Sequence, residues 1–141
     1  VTNPKPTQGY TLTPDGVPFV LEAQAKRDNV YVVQFYDASN SQRADLSSAT
    51  VTATVRETPY AASTTTSATL TASDAAEGQM TLTLADDAFD GLTWVKGEGR
   101  KCLWIDFSVA VSSFAYSARD GVGDYFFRLY LSQSILGQAE S

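Results

Sequence analysis

Carboxylates are the only side chains in this 141-residue chain numerous enough for acid-base or metal chemistry. Histidine is absent and Cys102 is the single cysteine. Those counts remove a histidine general base, a Cys-His pair, an intrachain disulfide and the usual zinc clusters. Two carboxylates suffice for glycosidase-type chemistry, and Asp106 with Asp120 or Asp124 is the pair to consider. Spacing along the chain does not fix spacing between the groups, so no catalytic residue is assigned and no enzyme activity is expected. Asp74, Asp86, Asp87 and Asp90 offer the hard oxygens that calcium takes, but the alternating ligand loop of an EF-hand is missing. They read as solvated turn carboxylates, and neither metal nor cofactor is expected. Ser108, Ser112 and Ser113 lack a nucleophile elbow, and Gly97-x-Gly99 and Gly121-x-Gly123 lack the rest of a phosphate-binding loop. Cys102 reads as a small buried apolar residue, because nothing in the sequence marks an activating environment for its thiol.

Binding chemistry is better represented. Near the C-terminal end, Tyr125 and Phe127 share one strand parity, while Phe126, Arg128 and Tyr130 share the other. One parity fills a core and the other cannot occupy the same core, so the second set meets a covering loop or another molecule. Aromatic rings give broad contact with little rotamer loss, and arginine grips a carboxylate with two parallel hydrogen bonds unless an internal carboxylate takes it first. The interface candidates are Phe126, Arg128 and Tyr130, with Trp94 and Tyr116 as loop candidates. Trp94 and Tyr116 also have the ring chemistry to stack a sugar, which keeps a carbohydrate-binding module as an alternative of a different class.

The elements that must carry these groups are strands. Sixteen threonines, fourteen serines, seven tyrosines and seven phenylalanines accompany apolar residues that recur in steps of two, the pattern of pleated, half-buried strands. The clearest cases are Val51, Ala53 and Val55, then Met80, Leu82 and Leu84, then Leu103 through Val111. Val30 to Tyr36 is apolar on both faces and is expected to be central or covered. Asp74 to Gly78 is expected to turn a hairpin, and Phe89 and Leu92 to plug one end of the core. Phe114 and Tyr116 are placed in a connection. About seven short strands predict an all-β sandwich, with a small closed barrel also compatible. Residues 1–16, with three prolines and two glycines, read as an N-terminal arm, 17–131 as the β-sandwich domain and 132–141 as a C-terminal tail.

Ten basic residues against sixteen acidic ones give a net charge of -6 and a pI near 4.4, which opposes a phosphate-backbone footprint, so nucleic acid is not an expected partner. No apolar run approaches the roughly 20 residues of a membrane helix, and the opening VTNPKPTQGY lacks a signal-peptide profile, so no membrane association is expected.

At Asp45-Leu46-Ser47-Ser48-Ala49-Thr50-Val51-Thr52-Ala53-Thr54-Val55-Arg56, followed by Gly78-Gln79-Met80-Thr81-Leu82-Thr83-Leu84, the chain resembles immunoglobulin-like domains of tailed-phage structural proteins. The pattern is similar to the N-terminal domain of siphophage baseplate upper proteins, where a polar turn and a leucine introduce a threonine- and valine-rich strand ending in arginine. The resemblance implies a single immunoglobulin-like β-sandwich with irregular terminal arms, located in the virion. The expected function is capsid decoration or cementing, by non-covalent binding to the major capsid protein or other virion structural proteins, as a homo-oligomer on the particle. A tail, collar or baseplate adaptor is the alternative within the same resemblance.

Overall fold

Alternation of apolar and polar residues sets the longest strand and, through it, the rest of the molecule. The computed structural model describes residues 10–13, 18–38, 42–59, 64–111, 114–120 and 122–133. Its strands are β1 (Tyr10–Thr11), β2 (Val20–Gln24), β3 (Asn29–Gln34), β4 (Tyr36–Asp37), β5 (Ala49–Arg56), β6 (Thr66–Thr69), β7 (Thr71–Asp74), β8 (Gln79–Leu84), β9 (Arg100–Val111), β10 (Phe114–Ser117) and β11 (Phe127–Ser132). The fold is all-β, with several sheets packed as a sandwich. A single 3-10 turn, Ala75–Glu77, is the helical element among the described residues.

The large sheet has the order β2-β11-β9-β5-β6, with β10 beside the far end of β9. Strand β2 runs parallel to β11, and the other pairs in this sheet are antiparallel. The small sheet has the order β3-β8-β7, and β1 pairs with β4 as a short ribbon. The two larger sheets are separate layers, not a closed barrel. Val51, Ala53 and Val55 of β5, Leu103, Ile105, Phe107 and Val109 of β9, and Phe127, Leu129 and Leu131 of β11 face inward and are buried. Val33, Met80, Leu82 and Leu84 meet them from the small sheet. Each of these side chains larger than Ala53 contributes about 1.5–3 kcal/mol by leaving water. Phe107 lies at the centre, with ring centroids 6.1 Å from Phe19, 6.1 Å from Phe35 and 5.5 Å from Phe127.

Several expected strands divide where a buried residue changes layer. The run through Ala68, Leu70 and Ala72 is read as one strand in the sequence, but it breaks at Leu70. That residue is buried and its N–H donates to Val51 O at 2.9 Å. Before it, β6 pairs with β5 in the large sheet; after it, β7 pairs with β8 in the small sheet. Such a bend lets one stretch of chain close one edge of the sandwich. The run from Val30 to Tyr36 likewise divides at Phe35. Strand β3 is an edge strand rather than a central one, and Val30 and Val32 are 60% and 66% exposed. The expected connection at Phe114 and Tyr116 is strand β10, paired with Val109 and Val111.

The hairpin around Gly78 forms as its residues predict. Gly78 sits at φ +78° and closes the 3-10 turn through its N–H to Ala75 O at 3.0 Å. Phe89 is buried and Leu92 packs against the core from the 85–92 segment. Residues 10–12 of the expected N-terminal arm belong to the sandwich. Tyr10 and Leu12 are buried, Leu12 N–H donates to Arg119 O and Arg119 N–H to Tyr10 O, both at 2.9 Å. From the expected tail, Ser132 ends β11, and Gln133 N–H donates to Gly99 O at 3.1 Å. The rest of the arm through residue 9, residues 14–17 and residues 134–141 lie outside the described residues.

Candidate interaction surface

The side chains that β9 and β11 do not bury form one ordered face of the large sheet. Inward Leu103, Ile105 and Phe107 force Cys102, Trp104 and Asp106 outward, and inward Phe127, Leu129 and Leu131 force Arg128, Tyr130 and Ser132 outward. The antiparallel register then sets Arg128 beside Trp104, Tyr130 beside Cys102 and Ser132 beside Arg100. Strand β5 adds Arg56 on the other side of Trp104, and β2 adds Val20 beside Arg128 and Glu22 beside Tyr130.

Cations and rings interlock on this face. The Arg100 guanidinium lies 4.0 Å from the centroid of the Tyr130 ring, and that of Arg128 lies 5.5 Å from the Trp104 ring. Arg128 Nη1 donates to the Tyr130 hydroxyl at 3.2 Å. Both contacts set a guanidinium charge over a ring face, where the ring quadrupole attracts it. No described carboxylate pairs with Arg100 or Arg128; the ion pairs run Lys26–Asp90, Arg43–Glu77, Arg56–Asp106 and Lys101–Glu98. Arg56 Nε is 3.9 Å from Asp106 Oδ1, a buried oxygen that receives no hydrogen bond. Burial pushes the Asp106 carboxyl above its ordinary value, with the Arg56 charge acting against that rise. Cys102 is exposed on the same face, not buried as its residue type suggests, because strand parity and an uncovered layer put it there.

Of the sequence candidates, Arg128 and Tyr130 meet on this face and Phe126 is half-buried in the bend just before β11. Trp94 and Tyr116 go elsewhere. Trp94 is half-buried against the core with Lys101 Nζ 5.0 Å from its ring centroid. Tyr116 pairs with inward-facing Val109 and meets Tyr10 edge-on, at 5.7 Å and 81°. Their neighbours Lys101 and Val109 are eight positions apart on β9, roughly 26 Å of strand, so the two rings form no common sugar platform. Sequence reasoning missed Trp104, Arg100, Arg56 and Val20 as members of the face. The parity that assigns Trp104 to the Cys102 side was legible and extends to Arg100; the register that brings Arg128 and Arg56 to it was not.

The carboxylates considered for catalysis are separated by role. Asp120 is buried, and its Oδ1 accepts the N–H groups of Val122 and Asp124, each at 2.9 Å, which closes the loop before β11. Asp106 faces Arg56 on the outer face. Among the acidic turn residues, Asp90 pairs with Lys26 at 3.0 Å. Among the described residues, no three His, Cys, Asp or Glu side chains form a group that could hold a metal ion.

No family model matches the chain, and no curated protein matches it. Solved structures similar to it include the N-terminal domain of phage TP901-1 ORF48, 13% identical with a TM-score of 0.47, covering 89% of this chain and 95% of that one. The periplasmic chaperone SfaE is similar at 12% identity and a TM-score of 0.46, covering 88% of this chain and 57% of that one.

Proposed function

We propose that this chain is a non-catalytic attachment domain of a phage particle, which binds neighbouring virion proteins through the outer face of the large sheet. The observation that carries the reading is the face itself: Trp104 and Tyr130 lie against Arg128 and Arg100, and no second layer of the described residues covers them. Ordered aromatic and arginine side chains are the groups that dominate binding energy at interfaces. An immunoglobulin-like classification belongs to the same proposal. It is supported by the order β3-β8-β7 facing β2-β11-β9-β5-β6, with β2 parallel to β11.

The phage assignment rests on the resemblance carried by Asp45–Arg56 and Gly78–Leu84, which is to baseplate domains, and the reading is therefore of a tail or baseplate attachment. Capsid decoration, the function first expected, gains nothing from the sheet geometry, which fixes no position in a particle. The binding is non-covalent and uses no cofactor. Immunogold imaging of source particles with an antibody against the chain tests the location. Gold at the tail tip or collar is expected; gold over the heads returns decoration to first place, and label only in particle-free host extract contradicts any virion role.

A further inference from the structure

The chain is acidic, yet its outer face is not. Arg56, Arg100 and Arg128 stand there against Glu22, Asp106 and Asp124, whose charge acts on Arg128, so the face is locally neutral and the rest of the chain carries the whole net charge of -6. Among the described residues neither Arg100 nor Arg128 forms an ion pair, the Asp124 charge acting on Arg128 from beyond ion-pair distance, and Arg128 donates one hydrogen bond, to the Tyr130 hydroxyl. Contact with Tyr130 and Trp104 sets both guanidinium groups beside rings while leaving most of their N–H groups for other acceptors. A planar, pre-oriented fork of donors beside a ring matches a carboxylate better than a lone point charge does.

We propose that this face binds an acidic protein surface, whose Asp and Glu carboxylates dock on Arg100 and Arg128 while its apolar groups cover Trp104, Tyr130 and Val20. This inference rests on the docking reading above and adds the chemistry of the partner. The charge distribution supplies the orientation, because an acidic partner is repelled by the acidic remainder of the molecule and drawn to a face whose Arg100 and Arg128 form no ion pair among the described residues. A nucleic acid is the less suitable ligand. It offers phosphates to only two such arginines, and the negative remainder of the chain repels its long backbone.

The test uses the full chain, labelled with nitrogen-15, titrated with a poly-L-glutamate peptide and, separately, with single-stranded DNA of equal length. Poly-L-glutamate is expected to shift the amides of residues 100–104 and 128–130, with affinity falling several-fold as salt rises. Arg100→Glu with Arg128→Glu is expected to weaken binding by about tenfold or more, and Arg100→Lys with Arg128→Lys to retain part of it. Unchanged near-ultraviolet circular dichroism in both double variants separates lost binding from lost fold. Equal shifts with DNA, shifts elsewhere, or full binding by the charge-reversed chain would overturn the inference. Rebinding to particles assembled without the chain distinguishes the two levels. If Trp104→Ala with Tyr130→Ala abolishes rebinding while charge reversal does not, docking stands and the acidic partner falls; if neither pair matters, both fall.

Discussion

Gly78 shows how much a single position carries. At φ +78° it occupies the left-handed region that side chains avoid, and a Cβ there would meet Phe35 O at 2.6 Å and Ala44 O at 2.8 Å. Both obstacles are backbone carbonyls; Phe35 O itself accepts Ala44 N–H at 3.1 Å. Gly78→Ala is therefore expected to destabilise the chain by about 2–4 kcal/mol, the positive-φ cost plus local overpacking. A lowered urea midpoint with an unchanged slope checks it. Tyr10 provides a pH-dependent counterpart. Burial, assisted by the charges of Tyr116, Asp37 and Asp45, pushes its hydroxyl up to about 12. The unfolded chain releases this proton near its ordinary value of about 10, so between those values the folded chain binds more protons than the unfolded one. The stabilisation is full below pH 10 and is lost as pH rises toward 12. Tyr31 is also raised, by burial and then Glu22, and acts in the same direction. Urea midpoints across that window are expected to fall less steeply in Tyr10→Phe than in the parent; identical slopes would remove Tyr10 from the explanation.

At the scale of elements, β9 is where parity decides everything. Its odd residues make the core and its even residues the candidate surface. Phe107→Ala is expected to cost about 3–5 kcal/mol, because three other rings lose their common neighbour. Ser108→Ala, one residue along and on the outer face, is expected to change stability by no more than about 0.5 kcal/mol. Comparing their denaturation midpoints tests the facing of the strand; similar losses would contradict it. This alternation was legible in the sequence, as were the hairpin at Gly78 and the inward set of β11. What was not legible depends on contacts between distant segments. Leu70 changes sheets because Val51 lies opposite, and β3 is an edge because no described strand pairs beyond it. Arg128 and Tyr130 could be assigned a common face from β11 alone. Trp104 and Arg56 join them only through registers between strands, and no period within one segment encodes a register. Tyr116 went to the core side for the same reason, since its facing follows Val109.

For the whole molecule, one face of a two-layer sandwich carries rings and two arginines that form no ion pair among the described residues, while the remainder is acidic. No described strand covers this sheet face, and its arginines lie against its own rings. Cys102 makes attachment through that face directly measurable. It is the only thiol in the chain, it is exposed, and it lies between Tyr130 and the Arg100 end of β9. The decisive measurement is the rate of maleimide labelling of Cys102 in the isolated chain and in the assembled particle. Docking through the large sheet predicts rapid labelling of the isolated chain and a rate lower by about tenfold or more on assembly, because an interface core excludes solvent. An equal rate in the particle would show that this face stays open there, and would contradict the attachment surface proposed for it.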